Sequence, residues 1–221
     1  MITISNTDAV ELVRKNLEEL DTDSSDMLSD YDDNASLDSI IKRNLPEAIN
    51  AVSLAAPIAL LEGVSVTAVS PSVSTDGVLS FSLGSESQFL RLVAFRAADS
   101  GIVVTDPIPE ASPEGRKQLN KYVRGRYDRP RLVLLQGAHT GPAFQYYTLA
   151  NPGAYTAVPA NAIAQFSIVQ EQIYSAETTE YQASRRIRQN IIDYLTAIVM
   201  DTYADQRSQI YHQKANSFTN I

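Results

Sequence analysis

The chain has 221 residues, a formal net charge of −8, no cysteine and no tryptophan. Without cysteine, disulfides, thiolate metal sites and thiol catalysis are excluded, while the length allows one large or two small domains with a sizeable core. No run approaches the roughly 18 apolar residues of a membrane span, and the start MITISNTDAVELVRKNL lacks the basic and apolar regions of a secretion signal, so a soluble, unprocessed protein without a membrane partner is expected.

In chain order, Thr7 to Leu20 reads as a first helix. Thr7 is its candidate cap, Asp8 and Glu11 sit in the first turn, and Val10, Val13, Leu17 and Leu20 form an apolar stripe. The following segment, DTDSSDMLSDYDDN, has neither helical nor strand period and carries Asp21, Asp23, Asp26, Asp30, Asp32 and Asp33. Asp21, Asp23 and Ser25 fall at positions one, three and five of an EF-hand-like loop. Asp26 stands where the sharp turn wants Gly, and Asp32 replaces the longer bidentate Glu, so a solvated acidic loop is favoured over calcium binding.

Ser36 to Pro57 gives the strongest helical pattern. Leu37, Ile40, Ile41, Leu45, Ala48, Ile49, Val52 and Ala56 share one stripe, Ser36 can cap the first turn, and Pro57 ends the helix. Pro46 removes one internal hydrogen bond, so either the helix bends there or two short helices meet.

Beyond Pro57 the pattern changes. Val64 to Val69, Val78 to Leu83, Phe89 to Phe95, Ile102 to Thr105, Arg131 to Gln136, Phe144 to Leu149 and Ala164 to Tyr174 read as strands separated by Gly, Pro and Asp-Gly punctuation. Pro107, Pro109 and Pro113 mark a rigid loop, and Ser112-Pro113-Glu114 begins a helix predicted to run to Arg124. From Thr178 the helical period returns: Ile187, Ile191, Tyr194, Leu195, Ile198 and Val199 form a stripe that can pack on Ser36 to Pro57, with Asp193 away from it. The end is expected to continue as helix before fraying into a polar tail. The expected fold class is α+β: a helical body from residues 1–63 and 176–221, with an antiparallel β-rich insertion at 64–175.

Charge is unevenly distributed. Residues 1–63 hold 13 acidic side chains against four basic ones, a balance of −9, which leaves about +1 for the rest and disfavours a simple basic nucleic-acid binder. The exception is RKQLNKYVRGRYDRPR, where Arg116, Lys117, Lys121, Arg124, Arg126, Arg129 and Arg131 face only Asp128, with Tyr122 and Tyr127 interleaved. Such a cluster binds phosphates or a carboxylate-rich surface, or is simply a solvated face. If copies assemble side by side, it can face the acidic loop of a neighbour in a head-to-tail contact.

No catalytic constellation emerges. His139 and His212 lack a second metal ligand at helical or hairpin spacing, Ser80, Ser82 and Ser85 have no G-x-S-x-G context, and no glycine pattern forms a phosphate cradle. No enzyme activity, resident metal or cofactor is expected.

The order of elements resembles the head-to-tail connector, or adaptor, proteins of tailed bacteriophages. The resemblance rests on the N-terminal amphipathic helix, the acidic link, SLDSIIKRNLPEAINAVSLAAP and the C-terminal helix around RRIRQNIIDYLTAIVMDTY. With its β-rich middle the chain looks most like the ring proteins of crAss-like phages. The resemblance implies a virion protein of the neck, assembled in the bacterial cytoplasm into a homo-oligomeric ring of twelve copies below the portal protein. Such a ring extends the channel for genomic DNA without sequence-specific binding and provides a platform for other connector or tail proteins. It further implies Leu37 to Ala56 and Ile187 to Tyr203 in the bundle, with Ile210, Tyr211, Phe218 and Ile221 as portal-docking candidates. The competing expectation is a carbohydrate- or protein-binding β-module on a helical oligomerisation unit, with Tyr146, Tyr147 and Tyr155 as contact residues.

Overall fold

The structure, a computed structural model, describes residues 1–19, 34–74, 77–84, 88–98, 100–126, 128–135, 142–148 and 162–218. The fold class is α+β. The chain divides into two compact units, Met1–Glu62 with Glu171–Ile221, and Gly63–Gln170.

The first unit opens with a strand that the sequence reading passed over. β1 (Ile2–Ser5) pairs antiparallel with β10 (Glu180–Ala183), in register from Ile2 opposite Ala183 to Ser5 opposite Glu180. Ile4, Tyr181 and Ala183 point inward and are buried, whereas on the outer face Gln182 Nε2 donates to Thr3 Oγ1 at 3.1 Å. The strand runs directly into α1 (Asn6–Glu19), and the cap is Ser5 rather than Thr7: its Oγ accepts the N–H of Asp8 at 3.0 Å.

α2 (Asn34–Ala55) is one helix that continues through Pro46. Leu37, Ile41, Leu45, Ala48, Ile49 and Val52 are buried along it, as the spacing predicts, and Pro46 lies on the same buried side. Burial of the ring among apolar neighbours offsets the lost hydrogen bond, and no second helix is needed. Arg14 of α1 donates to Asp38 Oδ1 of α2 through Nε at 3.1 Å and Nη2 at 2.7 Å. A 3-10 turn, Ile58–Leu60, follows α2.

The centre of this unit is α4 (Arg188–Thr202), reached through a 3-10 turn at Arg185–Ile187. α4 packs against α1, α2 and α5 (Ser208–Asn216). It is therefore buried almost all round, including Ile191, Ile192, Leu195, Thr196, Ala197, Val199 and Met200, rather than along a single stripe. Asp193 is buried too, contrary to its expected outward position. Burial pushes its carboxyl above the usual range, opposed by a 3.0 Å bond from Gln189 Nε2 and by the charge of Lys214.

The C-terminal segment does not prolong α4. Ala204 adopts φ 56°, and the N–H groups of Ala204 and Asp205 return to the carbonyls of Asp201 and Met200 at 3.1 and 2.9 Å, a Schellman closure with alanine where glycine is usual. Arg207 then clamps Asp205, with Nη2 to Oδ2 at 2.7 Å, and α5 turns back onto α4. Bonds from Ser208 and His212 hold the Asp201 carboxyl below its usual range. Between Gln170 and β10, the backbone N–H and C=O of Gln172 both bond the side-chain amide of Asn50, each at 2.8 Å. The predicted strand to Tyr174 therefore stops at Gln170.

In the second unit two sheets share one core. β2 (Val64–Ser65), β9 (Ile163–Gln170) and β5 (Phe89–Ala97) form an antiparallel sheet in the order β2-β9-β5. β3 (Val69–Val73), β4 (Leu79–Ser82), β8 (Ala143–Tyr147), β7 (Arg131–Leu135) and β6 (Ile108–Pro109) form the other in the order β3-β4-β8-β7-β6. Pro71 lies in edge strand β3, next to Ser70 at φ 52° and an irregularity in register, where a missing donor is tolerated. The predicted strand at Ile102 to Thr105 is reduced to one bridge, Val104 opposite Phe95.

The shared core draws five of the chain's six phenylalanines together. Phe81 stacks on Phe95 at 5.2 Å and on Phe144 at 5.5 Å, and meets Phe166 edge-on at 5.4 Å. Alternation along β4, β5, β8 and β9 sends these rings to the same side, and offset or edge-on contacts suit their quadrupoles. One pairing departs from the antiparallel expectation: β6 runs parallel to β7, with Ile108 opposite Val133.

Candidate functional site

The parallel β6–β7 pair requires a crossover, and that crossover is the cationic sequence. It begins with a compact joint. Ser112 Oγ donates to the carbonyl of Pro109 at 2.7 Å and accepts the N–H of Gly115 at 3.0 Å, which starts the short helix α3 (Pro113–Lys117) with Pro113 in its first turn. Glu114 stands near the positive end of α3, and Arg116 and Lys117 near the negative end. Gly115 is required by space, since a Cβ there would lie 2.3 Å from the Pro109 carbonyl oxygen.

α3 is five residues long, shorter than the helix predicted to reach Arg124, because Gln118 redirects the chain. Its buried amide donates from Nε2 to the Glu114 carbonyl at 3.1 Å, and its Oε1 accepts the N–H of Gly125 at 2.8 Å. The intervening residues turn on themselves, with Asn120 accepting the N–H of Arg124 at its carbonyl and that of Tyr122 at Oδ1, both at 3.0 Å. Gly125 abuts β8, where a Cβ would meet the Tyr147 carbonyl oxygen at 2.5 Å. Arg126 and Arg129 then exchange backbone bonds of 3.1 and 2.9 Å, which places their side chains on either side of a tight turn.

This folding exposes Arg116, Lys117, Lys121, Arg126, Arg129 and Arg131, and no carboxylate among the described residues forms an ion pair with any of the six. Arg124 is the exception to exposure. It is buried, with its guanidinium 5.9 Å from the centre of the Tyr147 ring, so it anchors the loop instead of presenting its charge. Tyr147 donates to Gln145 Oε1 at 2.7 Å, and burial pushes its phenol above the usual range, against the charge of Arg124.

Two features were absent from the sequence reading. First, the crossover walls a cleft of about 710 Å³, with Lys117, Arg126, Arg129 and Arg131 among its cations and Asp106, Glu114 and Asp128 as its carboxylates. Second, Leu119, Tyr122 and Val123 stand 73, 77 and 58% exposed on the same excursion. Three apolar side chains projecting beside six cations make a surface suited to a partner rather than to solvent alone. No sequence signal marked them, because the stretch to Arg124 reads as helix.

The remaining candidates scatter. Ile210 is half exposed on α5, and Phe218 is partly buried. Tyr211 is not available for docking: its ring is 4% exposed among Leu17, Ala197 and Met200, because α5 folds onto α4. Ile221 and the aspartates at 21, 23, 26, 30, 32 and 33, with the calcium reading attached to them, lie outside the described residues, as do Tyr127, His139 and Tyr155. Tyr146 and Tyr147 are core residues at 1 and 4% exposure, which removes them as contacts for the β-module alternative. His212 Nε2 lies 2.8 Å from Asp201 Oδ2 and belongs to the α4–α5 junction.

Among the described residues no three His, Cys, Asp or Glu side chains are grouped to hold a metal ion, and no helix is long and apolar enough to cross a membrane. Compared with models of known protein families and with curated proteins, the chain matches none.

Proposed function

We propose that the protein is a non-enzymatic virion component, one subunit of a homo-oligomeric connector ring at the head-to-tail interface of a tailed bacteriophage. In this reading twelve copies lie below the portal protein, extend the DNA channel without gripping the genome in a sequence-specific way, and offer a platform to other connector or tail proteins. The observation that carries it is the arrangement of α1 and α2 before, and α4 and α5 after, an inserted β-sheet unit, with the helices packed around α4. That arrangement accompanies the resemblance of the helical segments to connector proteins. The surface at 116–131 adds a second support, because exposed cations beside exposed apolar side chains suit a protein whose neighbours complete its surface.

The test is assembly. Sedimentation velocity and negative-stain imaging of the protein, alone and mixed with a portal protein, are expected to show a ring with a central hole. A protein that stays monomeric under both conditions refutes the proposal.

A further inference from the structure

We propose that the β6–β7 crossover is a receptor for a carboxylate-rich segment, and that its occupant is the 21–33 stretch of a second copy of this chain. The inference rests on the self-assembly proposed above and names the contact that would build it.

The receptor side is described by geometry. Arg126 and Arg129 flank a turn closed by two backbone bonds, so both side chains leave the backbone from paired, fixed positions. Arg131 and Lys117 line the same cleft. Planar guanidinium groups bind carboxylates through paired N–H donors, and pre-positioning them lowers the entropy lost on binding. Leu119, Tyr122 and Val123 add apolar area around these charges.

The occupant follows from complementarity. Residues 21–33, DTDSSDMLSDYDD, carry six aspartates and no cation, interrupted by Met27, Leu28 and Tyr31. The segment thus offers both carboxylates for the arginines and apolar side chains for the exposed rim. A nucleic acid would offer charge without aliphatic side chains, and its uniform negative backbone would meet Asp106, Glu114 and Asp128 in the cleft. A chain with net charge −8 also repels nucleic acid at long range, whereas every added copy brings one acidic segment for each receptor. A contact between two different surfaces of identical subunits is heterologous, the type that closes into rings.

A charge-swap experiment on the full-length chain tests the contact. One variant carries Arg126→Glu and Arg129→Glu, and a second carries Asp30→Lys, Asp32→Lys and Asp33→Lys. Each alone sets like charges against each other, and the concentration for half-assembly is expected to rise about tenfold or more. Mixed in equal amounts they restore opposite charges at every junction of an alternating ring, and assembly is expected to return. Circular dichroism of each variant establishes that it is folded.

Folded variants that each assemble like the native chain overturn the contact while leaving the ring reading intact. Loss in both without rescue on mixing also overturns it, because a contact within one chain gives that result. If the native chain never assembles, the ring reading fails. The receptor is then judged by a fluorescent peptide of residues 20–34: saturable binding weakened by Arg126→Glu with Arg129→Glu supports it, and no binding, or displacement of the peptide by single-stranded oligonucleotide at lower concentration, overturns it.

Discussion

Substitution of Gly115 by alanine sets two effects of opposite sign against each other. In a helix interior alanine is favoured over glycine by about 1 kcal/mol. At this position, however, the new methyl would lie 2.3 Å from the Pro109 carbonyl oxygen and 2.8 Å from that of Glu110, where ordinary contact begins at 3.4 Å. Both obstacles are backbone, and Glu110 is tied to β7 by its N–H bond to the Leu134 carbonyl at 3.0 Å. α3 must therefore move outward by about 1 Å, a distortion of the kind that costs about 1–3 kcal/mol in packed sites. The movement also strains the 3.0 Å Ser112 cap and, through Gln118, the 2.8 Å bond that returns the chain at Gly125. Sterics win, with a net loss of about 1–2 kcal/mol. Urea unfolding followed by far-ultraviolet circular dichroism measures the loss, and hydrogen exchange is expected to accelerate at the amides of Gly115 and Gly125. A variant as stable as the native chain or more so, with unchanged exchange at both amides, refutes the reasoning.

Ile41→Asp and Ile49→Asp place a carboxylate among residues of the helical unit that are at most 1% exposed. Losing a buried isoleucine and stranding a charge costs several kcal/mol, a large part of a typical stability of about 5–15, so both variants are expected to lose native helix content by circular dichroism. Ala204→Gly removes the strain of φ 56° and is expected to stabilise by up to about 1 kcal/mol, read as a higher urea midpoint, with the gain reduced by the greater freedom of glycine in the unfolded chain. For Asp193 the raised folded pKa means that the native state binds the proton more readily. Its contribution therefore turns unfavourable as pH rises from the ordinary value of 3.8 through the folded value, and the full penalty stands above the latter. Asp193→Asn is expected to gain stability relative to the native chain between pH 4 and 7, measured by urea midpoints at both ends; an equal difference at the two pH values contradicts this.

Long periodic segments were legible because burial there depends on local spacing. The stripe of α2 and the phenylalanine-bearing strands carry their pattern within 4 to 22 consecutive residues. What the sequence concealed depends on distant partners. Ile2–Ser5 and Glu180–Ala183 are too short to announce a strand, and each exists because the other is beside it. Asp193 is polar enough to suggest an outward position, but α4 has neighbours on nearly every side. Tyr211 and Ile210 are adjacent in sequence, and only the reversal at Ala204 decides which one is buried. The cationic site was legible as charge, since its residues are consecutive. Its rim was not, because apolar residues such as Leu119 and Val123 give no sign in a sequence that they will remain outside.

The β1–β10 pairing also has a consequence for the order of events at the ribosome. Ile2 waits for Ala183, roughly 180 residues later, and the stripe on α2 waits for α4. At about 5–20 residues per second, the interval from the end of α2 to the end of α4 is on the order of 10–30 s. Gly63–Gln170 can close its phenylalanine core from its own residues, whereas α1 and α2, although they contact each other, lack the α4 surface that covers their stripes. A chain ending at residue 175 and released from the ribosome is thus expected to keep the phenylalanine-bearing strands β4, β5, β8 and β9 protected from protease while α1 and α2 are cleaved. The helix that completes α1 and α2 is thus made only after the whole intervening β-sheet unit.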